Sequence, residues 1–125
     1  MDSTPRHDIE DRAFNFARRI VPYTDVLVRR GGVAALLGRQ LARAGTSIGA
    51  NLEEATGAQS RADFIARTTV AFKEARECRY WIRLIEATMN SLPAGGEPLR
   101  QEACELIAIL TAILKNAKRN AGRRV

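Results

Sequence analysis

The sequence predicts an all-α fold, an antiparallel up-down-up-down four-helix bundle. Three observations carry this. Glycine- and proline-rich breaks divide the chain into four segments of roughly 22 to 30 residues, long enough for helices of ~35–45 Å. Within each segment, apolar residues recur at spacings of three and four, which places them on one helical face. Alternating β-branched runs, the mark of strands, are scarce.

The first helix is expected from about Asp8. Asp8, Glu10 and Asp11 in its first turn complement the helix dipole. Ile9, Ala13, Phe16, Ile20, Tyr23 and Leu27 form its apolar stripe. Pro22 lies inside this pattern and removes a backbone donor, so it is expected to kink or split the helix. Gly31-Gly32 is the first break.

The second helix is expected over 33–56, with Val33, Leu37, Leu41, Ala44, Ile48, Leu52 and Ala55 on one face. Beside them runs a row of small residues, Gly38, Ala42, Gly45 and Gly49. Such a row lowers helix propensity but admits a close backbone neighbour, which reads as a tight helix–helix contact, with a mobile region as the alternative. The break at 57–60 follows.

Ser60 and Asp63 form a capping-box pattern that opens the third helix. Phe64, Thr68, Ala71, Ala75, Cys78, Ile82, Ile85 and Met89 follow one face, broadened by Phe72. Val70, Trp81 and Leu84 lie off it. The third break spans 92–96. The fourth helix is expected from Pro98, a favoured first-turn residue. Its seam is Leu99, Ala103, Leu106, Leu110, Ile113 and Ala117. Ile107, Ile109 and Leu114 fall outside it, and this surplus of apolar surface predicts self-association.

The 125 residues are one domain's worth, with residues 1–7 and 119–125 expected as flexible tails. With 46% apolar and 27% charged residues, composition excludes a disordered chain, a collagen-like fibre and a multidomain enzyme. The longest strongly apolar, charge-free run, 106–114, is too short to cross a membrane, which takes about twenty residues. The stretch Met1-Asp2-Ser3-Thr4-Pro5 is polar overall and lacks an apolar run, so a cytoplasmic protein is expected. Cys78 and Cys104 sit among apolar neighbours and read as small buried thiols rather than a disulfide.

The formal net charge is +6, unevenly spread. Residues 12–52 carry seven arginines and only Asp25, and residues 111–125 carry five bases and no acid, whereas residues 53–110 carry seven bases and nine acids. Two basic blocks around a near-neutral middle favour a polyanionic partner, RNA or DNA or an acidic protein; the alternative is a solvated arginine-rich helical surface. Arg39 and Arg43, four apart on the second helix, and Lys115, Lys118, Arg119, Arg123 and Arg124 at the chain's end are the candidate phosphate contacts.

Catalytic chemistry finds little to stand on. His7 is the only histidine, a hydrolytic triad needs a positioned base, and a di-metal bundle needs Glu-x-x-His pairs. No phosphate-cradling glycine loop occurs. No catalytic residue, metal or cofactor is expected. Ser47, Asn51 and Glu54 form a polar row beside the second helix's apolar stripe. With Lys73, Arg76 and Tyr80 of the third helix they are read as a structural network that pins helix register. Tyr80-Trp81 is read as packing rather than as a base-stacking platform.

The run Gly45-Thr46-Ser47-Ile48-Gly49-Ala50-Asn51-Leu52-Glu53-Glu54-Ala55, followed by Gly57-Ala58-Gln59-Ser60-Arg61-Ala62-Asp63-Phe64, resembles a bacterial four-helix bundle family. Its members include proteins encoded within intervening sequences of large-subunit ribosomal RNA genes. Phe72-Lys73-Glu74-Ala75-Arg76-Glu77, Tyr80-Trp81, and Phe14, Phe16, Ala17, Arg19, Ile20 and Val21 fit the same pattern. The resemblance implies a homopentamer without enzymatic activity. It also implies kinship with the accessory protein of diversity-generating retroelements, a barrel-like pentamer that works with a reverse transcriptase and binds nucleic acid. The expected function is a homo-oligomeric adaptor for nucleic acid or a nucleic-acid-processing enzyme. The alternative is a protein-binding scaffold that does not bind nucleic acid.

Overall fold

A computed structural model of the chain describes residues 5–122. It contains four helices, α1 (Pro5–Arg30), α2 (Gly32–Thr56), α3 (Arg61–Thr88) and α4 (Gly96–Gly122). α1 packs on α2, α2 on α3, α3 on α4, and α4 closes the ring against α1. The diagonal pairs do not pack, so each helix runs antiparallel to two neighbours. The expected tails are helical over 5–7 and 119–122, and the remaining tail positions lie outside the described residues.

Local chemistry sets the boundaries. α1 and α2 are joined through Gly31 alone, and Gly31 and Gly32 adopt φ of 73° and 57°. Side chains rarely take that left-handed geometry, so the glycine pair makes the reversal possible. Ser60 caps α3 by accepting the Asp63 backbone N–H at 3.0 Å. α4 begins two residues before Pro98, which still falls in the first turn, where its missing N–H is harmless.

Pro22 does not split α1. It lies on the exposed side, so the Arg18 carbonyl that loses its helical donor is turned to the solvent side of the helix. Two residues on, the buried Thr24 hydroxyl donates to the Ile20 carbonyl at 2.9 Å. That keeps a polar side chain satisfied where α1 meets α2.

All six stripe residues of α1 are buried. So is the α2 stripe except Val33, which sits 66% exposed in the first turn beside the reversal. In α3, Thr68, Ala71, Ala75, Cys78, Ile82 and Ile85 are buried and Phe64 and Met89 half-buried. α4 departs from its expected seam at one turn, where Leu114 is buried and Ile113 half-buried. The two straddle the seam, and a helix of 3.6 residues per turn drifts off a strict heptad.

The apolar surplus of α3 and α4 proves largely internal. Phe72, Trp81, Leu84, Ile107, Ile109 and Ile113 pack against the core as partly buried residues. Each helix meets two neighbours, so a stripe wider than one seam is absorbed within the chain. Val70 of α3 stays 40% exposed, and further large apolar side chains are left in water on α1, with Phe14 66% and Val21 54% exposed, and on α2, with Leu36 56% exposed. Cys78 is buried as expected, but Cys104 is exposed.

Cross-helix polar contacts border all four packed interfaces. Arg12 holds Glu102 through two bonds of 2.9 and 2.7 Å between α1 and α4. Arg100 donates to Glu86 at 2.8 Å between α4 and α3. Arg43 of α2 reaches Glu74 at 3.1 Å and Glu77 at 2.6 Å on α3. The Thr56 hydroxyl donates to Glu10 between α2 and α1.

Candidate nucleic-acid interface

The basic residues singled out from sequence do not form one surface. Arg39 and Arg43 lie on α2, and Lys115, Lys118 and Arg119 are exposed near the end of α4. α2 and α4 occupy diagonal corners of the bundle. Arg43 is engaged by Glu74 and Glu77. Arg123 and Arg124 lie outside the described residues.

The expected polar network does not assemble either. Ser47 donates to the Arg43 carbonyl at 2.7 Å, and the Asn51 amide to the Ser47 carbonyl at 2.8 Å. Both side chains thus turn back on their own helix. Glu54 meets Arg67 of α3 at 3.9 Å, beyond hydrogen-bonding reach. Lys73, Arg76 and Tyr80 are exposed and face away from α2, because the α2-facing positions of α3 are taken by Glu74 and Glu77.

What α3 presents outward is a cationic track. Lys73, Arg76, Arg79 and Arg83 line an open groove of about 460 Å³ together with Tyr80 and Glu77. Arg79, Tyr80 and Arg83 continue into a second groove of about 620 Å³, bordered by Arg100 and Cys104 of α4. Residues 73, 76, 80 and 83 recur at three and four, one stripe of one helix. The nearby carboxylates are occupied: Glu74 and Glu77 by Arg43, Glu86 by Arg100. Lys73, Arg76, Arg79 and Arg83 take part in no ion pair among the described residues. Counting Arg43 and Arg100, six cations thus stand against three carboxylates, two of which share Arg43.

Two aromatic residues sit within the track with different roles. Trp81 is half-buried against the core and donates its indole N–H to Glu77 at 3.4 Å. Tyr80 is 56% exposed, so Trp81 packs against the core whereas Tyr80 has no such cover among the described residues. The rings meet edge to face, with centroids 5.2 Å apart and planes at 74°. The Arg76 guanidinium lies 5.8 Å from the Phe72 ring centre. Such support costs less side-chain freedom than an unbraced arginine would lose on binding.

Sequence reasoning misses Arg79 and Arg83. Their signal is the stripe spacing, masked by the net negative balance of residues 53–110. Burial pushes the Cys78 thiol far above its ordinary range, with Glu74 and Glu77 adding to the rise. That disfavours the thiolate a nucleophile needs. Among the described residues, no cluster of three or more His, Cys, Asp or Glu side chains is placed to hold a metal, and no helix is long and apolar enough to cross a membrane.

The family model of the 23S rRNA-intervening sequence protein matches residues 6–112. The chain belongs to this family. Among solved structures, it is similar to a protein of unknown function from the S23 ribosomal protein family of Bacteroides thetaiotaomicron VPI-5482. The two share 37% sequence identity, with a TM-score of 0.80 over 90% of this chain and 99% of the other. No curated protein matches this chain. In this member of the 23S rRNA-intervening sequence protein family, the α3 track lies wholly inside the matched residues. The basic end of α4, from Lys115 on, lies beyond them.

Proposed function

We propose that this member of the 23S rRNA-intervening sequence protein family is a non-enzymatic, homo-oligomeric adaptor that grips nucleic-acid phosphates through the outer face of α3. The observation that carries the reading is the set of Lys73, Arg76, Arg79 and Arg83, in no ion pair among the described residues and beside acids already engaged by Arg43 and Arg100. Cations in that state can exchange their counterions for phosphates with no ion pair to break first. Arg39, Lys115, Lys118 and Arg119 raise the general positive potential without forming part of the track.

Self-association is supported by Phe14 and Val21, exposed seven residues apart on the same side of α1. The resemblance implies a pentamer, and five copies of a +6 chain concentrate positive charge. Repeated tracks also raise the effective concentration of weak phosphate sites. Replacing both Phe14 and Val21 with glutamate should reduce the assembly to monomers in light scattering, while the helical circular dichroism signal persists. Unchanged particle mass would remove α1 from the interface.

The functional test is a titration of labelled oligonucleotide at two salt concentrations. Each contacted phosphate should contribute a slope of about −0.7 to −0.9 in log affinity against log salt. The quadruple variant K73Q/R76Q/R79Q/R83Q should bind at least about tenfold more weakly and show a shallower slope. Equal affinity of variant and wild type would sink the α3 reading. Negligible affinity even at low salt would instead favour a protein-binding scaffold.

A further inference from the structure

We propose that the α3 track selects unpaired nucleic acid, with one base stacked on the Tyr80 ring. The inference rests on the phosphate-binding reading of α3 and specifies the kind of strand the track accepts.

Tyr80 sits between the cations in sequence and in space, with Lys73 and Arg76 before it and Arg83 after it on one stripe. The residue is 56% exposed, a costly position for a large apolar surface unless something covers it. The ring is also braced. Its contact with Trp81 is edge to face at 5.2 Å. Trp81 donates to Glu77 at 3.4 Å, and Arg43 grips Glu77 at 2.6 Å. A chain of contacts from α2 therefore fixes the ring's support, and the exposed part of the ring remains available to a ligand. A held aromatic surface loses little conformational entropy when a base covers it.

The surrounding geometry argues against a duplex as the preferred ligand. Lys73 and Arg83 are ten residues apart, ~15 Å along a helix axis, about the reach of a few extended nucleotides. Paired bases offer only their edges to the grooves, and their faces are covered by stacking. Tyr80 lies mid-helix among longer arginine and lysine side chains, so it cannot act as a wedge between base pairs. A duplex can use the cations but not the ring. An unpaired strand uses both, since stacking tolerates any base.

The test compares oligomers of about twelve nucleotides, one of uridine and one of deoxythymidine, with a duplex of equal length at one low salt concentration. Binding is read by anisotropy of the labelled oligonucleotide and by quenching of Trp81, the single tryptophan. Tyr80→Ala should weaken single-strand binding roughly five- to 150-fold and leave duplex binding within about twofold. Tyr80→Phe, which keeps the ring, should bind as the wild type does. Equal loss on both single strands is expected; loss on one alone keeps the stacking and identifies the strand chemistry. If K73Q/R76Q/R79Q/R83Q weakens every ligand but Tyr80→Ala weakens none, stacking is overturned and phosphate gripping stands. Stacking is overturned equally if Tyr80→Ala weakens the duplex as much as the single strands. If the quadruple variant weakens no ligand, the phosphate reading itself fails, and this inference fails with it.

Discussion

Phe16→Ala should lower folding stability by about 3–5 kcal/mol. Phe16 is fully buried and the largest such side chain among the described residues. Around the core, many other positions are small, with Ala13, Ala44, Ala71, Ala75 and Ala103 all at 0% exposure. Alanines have no reach with which to refill a lost ring, so the cavity persists and the effect belongs toward the upper end of that range. For a chain of this size the thermal midpoint should fall by ~12–20 °C. Melts must be run at one protein concentration, because assembly couples stability to concentration. A loss below about 1 kcal/mol would mean that the α1 stripe is not a core seam.

The stripe containing Phe16 illustrates how legible the fold is. Ile9, Ala13, Phe16, Ile20, Tyr23 and Leu27 are separated by threes and fours, and every one is buried. Periodicity is a local property, so a sequence displays it directly. Breaks are equally local: Gly31 and Gly32 take positive φ, and Ser60 caps Asp63. Less legible is how much apolar surface a bundle position can absorb. Ile107 and Ile109 read as surplus beside one seam, yet with two neighbours per helix they pack against the core.

The candidate site is legible in composition but not in direction. Residue spacing picks out Lys73, Arg76 and Tyr80 but places them on the side facing α2. The helical wheel fixes their angles relative to Cys78 and Ile82. It does not say which neighbour lies on which flank, since that depends on the packing order of the helices. Glu74 and Glu77, a single residue from Lys73 and Arg76, hold the α2-facing positions. Arg43 misleads for the same reason. The basic block 12–52 around it contains one acid, so it looks like an unpaired cation, but its partners come from another helix. Charge pairing across helices is tertiary information, and removing Arg43 from the unpaired set shifts the free positive surface from α2 to α3.

The small-residue row on α2 makes a prediction that changes sign along one helix face. A Cβ added at Gly38 would lie 2.9 Å from the Leu27 Cβ and 3.2 Å from the Thr24 carbonyl oxygen. Neither atom can yield easily, as one is main chain and the other is the root of a fully buried side chain. At Gly45 the added atom would meet Ile20 at 2.8 Å. At Gly49 it would meet Ala13 at 3.7 Å, an ordinary contact. Alanine raises helix propensity by about 1 kcal/mol at each position. At Gly38 and Gly45, overpacking of about 1–3 kcal/mol outweighs that gain, most clearly at Gly38, where the backbone itself must move. At Gly49 the gain stands alone. Gly38→Ala should therefore lower the urea midpoint and Gly49→Ala raise it, with Gly45→Ala destabilised. Propensity alone would raise all three midpoints, and an indiscriminate penalty would lower all three. Either uniform result would refute the graded approach of α1 to α2, in which contact is tightest at Gly38 and Gly45 and relaxes toward Gly49.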